Sequence, residues 1–206
     1  MNNLEFIKEY TKALEDPIQR EQIHAIRNFL YSIKDIKNPS EIVQLVAISK
    51  GYPINSISNP SENVQLASVR QSPGNIKLIK NPSYNVIKEA VRCNPNTIGE
   101  IYNPSEELQL IAVRKQGTAI ANIDEPTEAV KIEAVKNNPR SIEHIRKPSE
   151  AIQLIAVEKR PDAIIDIDKP TEAVQLIAIR ADINLFKYIK NPSHKVIKEA
   201  IKIDAS

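Results

Sequence analysis

The chain has 206 residues, of which 41% are hydrophobic and 26% charged, with a net charge of +2, the balance of an ordinary folded chain. So small a charge gives no ground for nucleic acid, the lone Cys93 excludes an intramolecular disulfide, and no run of about 20 apolar residues exists to cross a membrane. Aromatic residues are 4% with no Trp, so the core has to be aliphatic.

Asn3 to Leu14 predicts a first helix, with Asn3 as its cap and Phe6, Tyr10 and Leu14 four residues apart on one face. The segment before residue 14 lacks the continuous apolar stretch of a signal peptide, and with the single cysteine this makes cytoplasmic the expected location. The abundance of Ile, Lys and Asn is that of an AT-rich genome, such as a low-GC bacterium or one of its phages.

From there a 22-residue period takes over. Pro60, Pro82, Pro104, Pro126, Pro148, Pro170 and Pro192 are 22 apart, and Pro39 stands 21 before Pro60. Pro17 opens a degenerate first copy in which Glu21 takes a slot that is elsewhere aliphatic. Numbered from its Pro, each unit begins Asn-Pro-Ser-Glu or a close variant. That predicts a helix with Asn as N-cap, Pro at the first helical position and, in Asn103-Pro104-Ser105-Glu106, a capping box. The helix should run eleven or twelve residues, about 17 Å.

Within it, position 5 is aliphatic from Val43 to Val196 and position 9 is Ala, with Ser68 the exception. Positions 2, 5, 6, 9 and 10 form one sector at 100° per residue and are the expected core. Positions 4 and 11 lie opposite, flanked by 7 and 8. A second Pro or Gly then breaks the helix (Pro73, Pro95, Gly117, Pro139, Pro161). Apolar pairs three apart follow, such as Ile98/Ile101 and Ile142/Ile145, in a piece short enough to be partly 3₁₀. Neither helix is stable alone, so stacking has to hold both.

Units such as KPSEAIQLIAVEKRPDAIIDID resemble leucine-rich-repeat-variant units and, more loosely, HEAT-like repeats. The resemblance implies a right-handed α-solenoid and a binding role, in most such proteins toward other proteins and in some toward DNA. The expected architecture is all-α: one elongated domain over 1–206, made of an N-terminal capping helix (1–16), about eight repeats (17–191) and a C-terminal half-repeat cap (192–206).

Position 11 carries the sharpest functional pattern: Arg27, Ser49, Arg70, Arg92, Arg114, Lys136, Glu158, Arg180, Lys202. On stacked helices this is a basic row for an acidic protein surface or a phosphate backbone. The other reading is structural, since Glu at position 3 and a cation at position 11 complement the helix dipole and neighbouring acids can pair with the row. Arg70, Arg92, Arg114, Lys136 and Arg180 are the candidate binding residues, joined by Asn85, Glu107 and Arg140 at the variable positions 4 and 15. The Gln column at position 6 (Gln44, Gln65, Gln109, Gln153, Gln175) either forms a hydrogen-bonding ladder between repeats, the preferred reading, or lines a groove.

Lys88/Glu89 and Lys198/Glu199 put charge where Leu and Ile stand elsewhere, as expected of a solvent-facing cap in the last unit and as a change in surface in the Pro82 unit. His24, His144 and His194 share no helix face and have no partner at metal-ligand spacing. With four Gly no phosphate loop is present, and no catalytic constellation stands out. The expectation is a non-enzymatic scaffold without cofactor or metal, binding a protein as an adaptor or as an inhibitor encoded by a phage or mobile element. Nucleic acid along the basic row is the alternative.

Overall fold

The structure is a computed structural model and describes residues 2–205. Among the described residues there are ten α-helices and no β-strand. The helices are α1 (Asn3–Glu15), α2 (Pro17–Arg27), α3 (Glu41–Ser49), α4 (Glu62–Gln71), α5 (Tyr84–Cys93), α6 (Glu106–Lys115), α7 (Glu128–Asn137), α8 (Glu150–Lys159), α9 (Glu172–Ala181) and α10 (His194–Asp204). From α2 to α9 each is followed by a 3₁₀ helix of three to six residues. This is the all-α solenoid repeat that the period implies. The chain divides into two compact units, Met1–Ile101 and Tyr102–Ser206.

Within each unit every α-helix packs on the next, and the 3₁₀ helices stack from Ile54–Ser56 onward in the first unit and throughout the second. The joints are dry and close. Positions 5 and 9 are buried to 3% exposure or less in every repeat from Pro39 to Pro170. A small residue at position 9 lets neighbouring helices approach. On the 3₁₀ side the predicted pairs are largely buried, and Thr97, Ala119, Ser141, Ala163 and Leu185, one residue earlier, are buried with them.

The helix starts differ from the sequence expectation. Asn is not the cap. Asn38, Asn59, Asn81, Asn103 and Asn191 sit at φ of 51, 51, 51, 48 and 58°, the left-handed region that Asn tolerates because its short side chain bonds locally. They turn the chain between the 3₁₀ helix and the next Pro. The N-cap lies two residues later, on Ser40, Ser61, Ser83, Ser105, Thr127, Ser149, Thr171 and Ser193. The Asn103–Glu106 capping box is therefore absent. Only the first copy keeps the expected scheme, with Asp16 accepting from the Ile18 and Gln19 amides and Pro17 at the first helical position. In α1 the cap is Asn2 rather than Asn3, in a capping box with Glu5.

α1 does more than close an end. It packs on both α2 and α3, with Phe6, Tyr10 and Leu14 against the core. Every residue of α3 from Ile42 to Ile48 is buried, including Ile42 and Val46 at positions 4 and 8, which are exposed or half-buried in the other repeats. The V-I-K-E-A repeats have a position of their own: α5 is the last α-helix of the first unit and α10 the last of the second.

Candidate partner-binding face

Glu at position 3 was expected to reach back to its own helix start. It instead reaches the next repeat. The N-cap hydroxyls of Ser83, Thr127, Ser149, Thr171 and Ser193 donate to Glu62, Glu106, Glu128, Glu150 and Glu172 at 2.6, 2.5, 2.5, 2.8 and 2.6 Å. Ser61 donates to Glu41 in the same way. Each hydroxyl ties its helix to the one before, and all but that of Thr171 also accept from an amide of their own helix. Tyr84 and His194 stand in this slot in the two V-I-K-E-A repeats, so those repeats carry no position-3 carboxylate.

The basic row is largely engaged. Arg70, Arg114 and Arg180 donate through Nε to Glu89, Glu133 and Glu199 at 2.6, 3.0 and 2.8 Å. Each glutamate is at position 8 of the following repeat. Glu199, expected as a surface charge of the cap, and Glu89, expected to mark a change in surface, are thus each placed one repeat beyond an arginine. Lys136 lies 3.5 Å from the same Glu133 that Arg114 holds.

These bonds lower carboxylate pKa values. The Ser83 hydroxyl, then Asn85, holds Glu62 below the ordinary 4.5. Ser193, then Lys195, does so for Glu172. The Arg114 and Arg180 hydrogen bonds do so for Glu133 and Glu199. A carboxylate whose folded pKa is depressed stabilises the fold above its unfolded pKa, and that contribution is lost as pH falls through the folded value. The melting midpoint should therefore be level from neutral pH to about pH 5 and fall below it. Circular dichroism melts across that range test this, and Glu172→Gln and Glu199→Gln together should flatten the acid limb. An unaltered limb in that variant would show that the clasps do not set it.

The Gln column serves mainly its own repeat. Gln44, Gln65, Gln109, Gln153 and Gln175 each donate from Nε2 to the carbonyl of their own repeat's Pro, at 2.9–3.0 Å. Gln153 also bonds the next repeat, accepting from the Thr171 amide at 3.0 Å.

All eight candidate residues are exposed. The structure brings Arg114 and Lys136 together at Glu133 and puts Asn85 beside Glu62. Arg70 and Arg180 each face a glutamate of the next repeat. Arg92 is near the end of α5 and Glu107 in the first turn of α6. Arg140 lies apart from the row, in the 3₁₀ helix Pro139–His144.

Between the charged positions, several aliphatics at positions 7 and 8 are half-buried: Leu66 and Ala67 in the first unit, Leu110, Ile111, Ile132, Leu154, Ile155 and Ile177 in the second, whereas Leu45, Val46 and Leu176 are buried. Two further features escaped the sequence reading. Beside α1 a groove of about 450 Å³ lies over α3 and α4. After α2, Phe29, Leu30 and Tyr31 are 55–66% exposed, with Phe29 stacked on Tyr52 at 5.6 Å. Three large apolar residues in a row, where later repeats are polar, were the available signal for that patch.

Among the described residues no three His, Cys, Asp or Glu side chains are grouped to hold a metal ion, and no helix is long and apolar enough to cross a membrane. His24, His144 and His194 are exposed, with His144 Nε2 3.1 Å from Glu143. Cys93 is exposed and in no disulfide. No family model, no curated protein and no solved structure matches the chain.

Proposed function

We propose that this protein is a non-catalytic scaffold that binds another protein through the face formed by helix positions 4, 7, 8 and 11, covering part of its partner as an adaptor or inhibitor does. One observation carries the reading. The arginines that would grip phosphate are engaged by Glu89, Glu133 and Glu199 of neighbouring repeats, while several aliphatics between them stay half-exposed. Nucleic-acid affinity rests on cations that release counterions from the phosphates, and a cation already held by a carboxylate contributes less. A row of half-buried Leu and Ile with a charged border matches the core and rim of a protein interface. The resemblance of the units to leucine-rich-repeat-variant and HEAT-like repeats, most of which bind proteins, points the same way.

The test is capture from source-cell extract on the immobilised protein, beside Leu110→Arg/Leu154→Arg and, as a control on the 3₁₀ edge, Arg140→Glu. A protein retained by wild type and by the control but lost from the double variant is the expected result. DNA or RNA binding in an electrophoretic shift, falling steeply between low and moderate salt, would overturn it in favour of the basic row.

A further inference from the structure

The first unit contains a docked amphipathic helix of its own. α1 lays Phe6, Tyr10 and Leu14 on the core and packs on α3. Position 8 records the effect. Val46, on α3, is 4% exposed, whereas Ala67, in the same register on α4, is only half-buried. α1 thus begins a second layer over the repeat helices and stops short of α4. What remains is the groove of about 450 Å³, bounded by Phe6 on one side and floored by Leu45, Ile48, Leu66 and Ala67. Its size is that of a ligand pocket rather than of a packing fault.

Among the described residues the lining carries one charged side chain, Arg70. Glu89 takes the Nε edge of that guanidinium. Its Nη groups make no hydrogen bond among the described residues. Glu89 offsets the charge of Arg70, which lessens its long-range pull on an anion, but the open Nη edge keeps the geometry to take one carboxylate directly, and holding the Nε edge removes much of the rotamer entropy that this second bond would otherwise cost.

Resting on the protein-binding reading above, we propose that this groove takes an amphipathic helix of a partner protein, lying alongside α1, with its apolar side on Leu66 and Ala67 and an Asp or Glu on Arg70. The occupant extends the α1–α3 interface by one helix at the usual spacing of about 8–10 Å. A basic helix leaves the Nη edge of Arg70 without a partner and binds more weakly.

The probe is a fluorescein-labelled amphipathic peptide of about 14 residues, four helical turns, leucine on one face and glutamate on the other, with a lysine-for-glutamate version as its control. Fluorescence anisotropy on the full chain should show the glutamate peptide binding and the lysine peptide binding at least about tenfold more weakly. Ala67→Trp, which fills the groove from its half-buried floor, should abolish binding. Arg70→Gln should weaken the glutamate peptide by about tenfold or more, and Glu89→Gln, which leaves Arg70 its charge, should retain it. Melting curves of each variant separate loss of binding from loss of fold. No binding of the glutamate peptide, or equal binding of the two peptides, overturns the proposal. So does binding that a folded Ala67→Trp variant retains. In that last case the scaffold reading survives with its site elsewhere, whereas failure of the capture experiment removes the scaffold reading itself.

Discussion

Gly117→Ala should destabilise the second unit by about 3 kcal/mol, although it adds one methyl group. A Cβ there would stand 2.4 Å from the Ala134 carbonyl oxygen, 2.8 Å from Ser141 Oγ and 3.0 Å from Asn138 Cβ. The nearest of these is backbone in the next repeat, so no side chain can swing aside to make room. Gly117 also donates its amide to Asn137 Oδ1 at 2.7 Å, and Asn137 returns a bond to the Arg114 carbonyl at 2.8 Å. Pro73, Pro95, Pro139 and Pro161 fill the equivalent place elsewhere, which makes Gly117→Pro the substitution a repeat consensus would suggest. It should be no better than Ala, since Pro removes the donated N–H as well. Thermal unfolding measures both; a melting midpoint within about 1 °C of wild type for either would show that this joint has slack.

Ala134→Phe should cost about 3 kcal/mol or more, at the upper end of overpacking effects. Ala134 is fully buried at position 9, where α7 meets both α6 and α8, and a phenyl ring can fit only by driving those helices apart. Ala129→Phe on the same helix is the matched control. Ala129 is exposed at position 4, and the same change there should stay within about 0.5 kcal/mol. Chemical denaturation of the pair checks the assignment of faces directly. Equal effects of the two would mean that the helix is rotated from the orientation described.

The helix faces were legible because burial follows a short local rule. Val at position 5 and Ala at position 9 lie on one side of a 3.6-residue helix whatever surrounds it, and the repeat states the pattern eight times over. The 3₁₀ piece was legible from its length. The helix start was misread because Asn-Pro-Ser-Glu offers two caps. Either Asn or Ser can accept from a helix amide, and only the backbone shows that Asn is left-handed. The charges were legible only in part. A position-3 Glu and its Ser or Thr partner are 20 or 21 residues apart, and a position-11 Arg and its position-8 Glu are 19 apart. That neighbouring acids could pair with the basic row was open to the sequence, but which acid holds which arginine was not, because the partners stand in different repeats.

The sequence by itself determined the period, the aliphatic stacking face and the alternation of an α-helix with a short tight one, because each depends on residues within one unit. Only the tertiary structure decided which charges are already held and where apolar surface is left open. Both depend on what the next repeat presents across the joint. For the groove beside α1 the deciding element is a helix outside the repeat, whose seat on α3 no periodicity records.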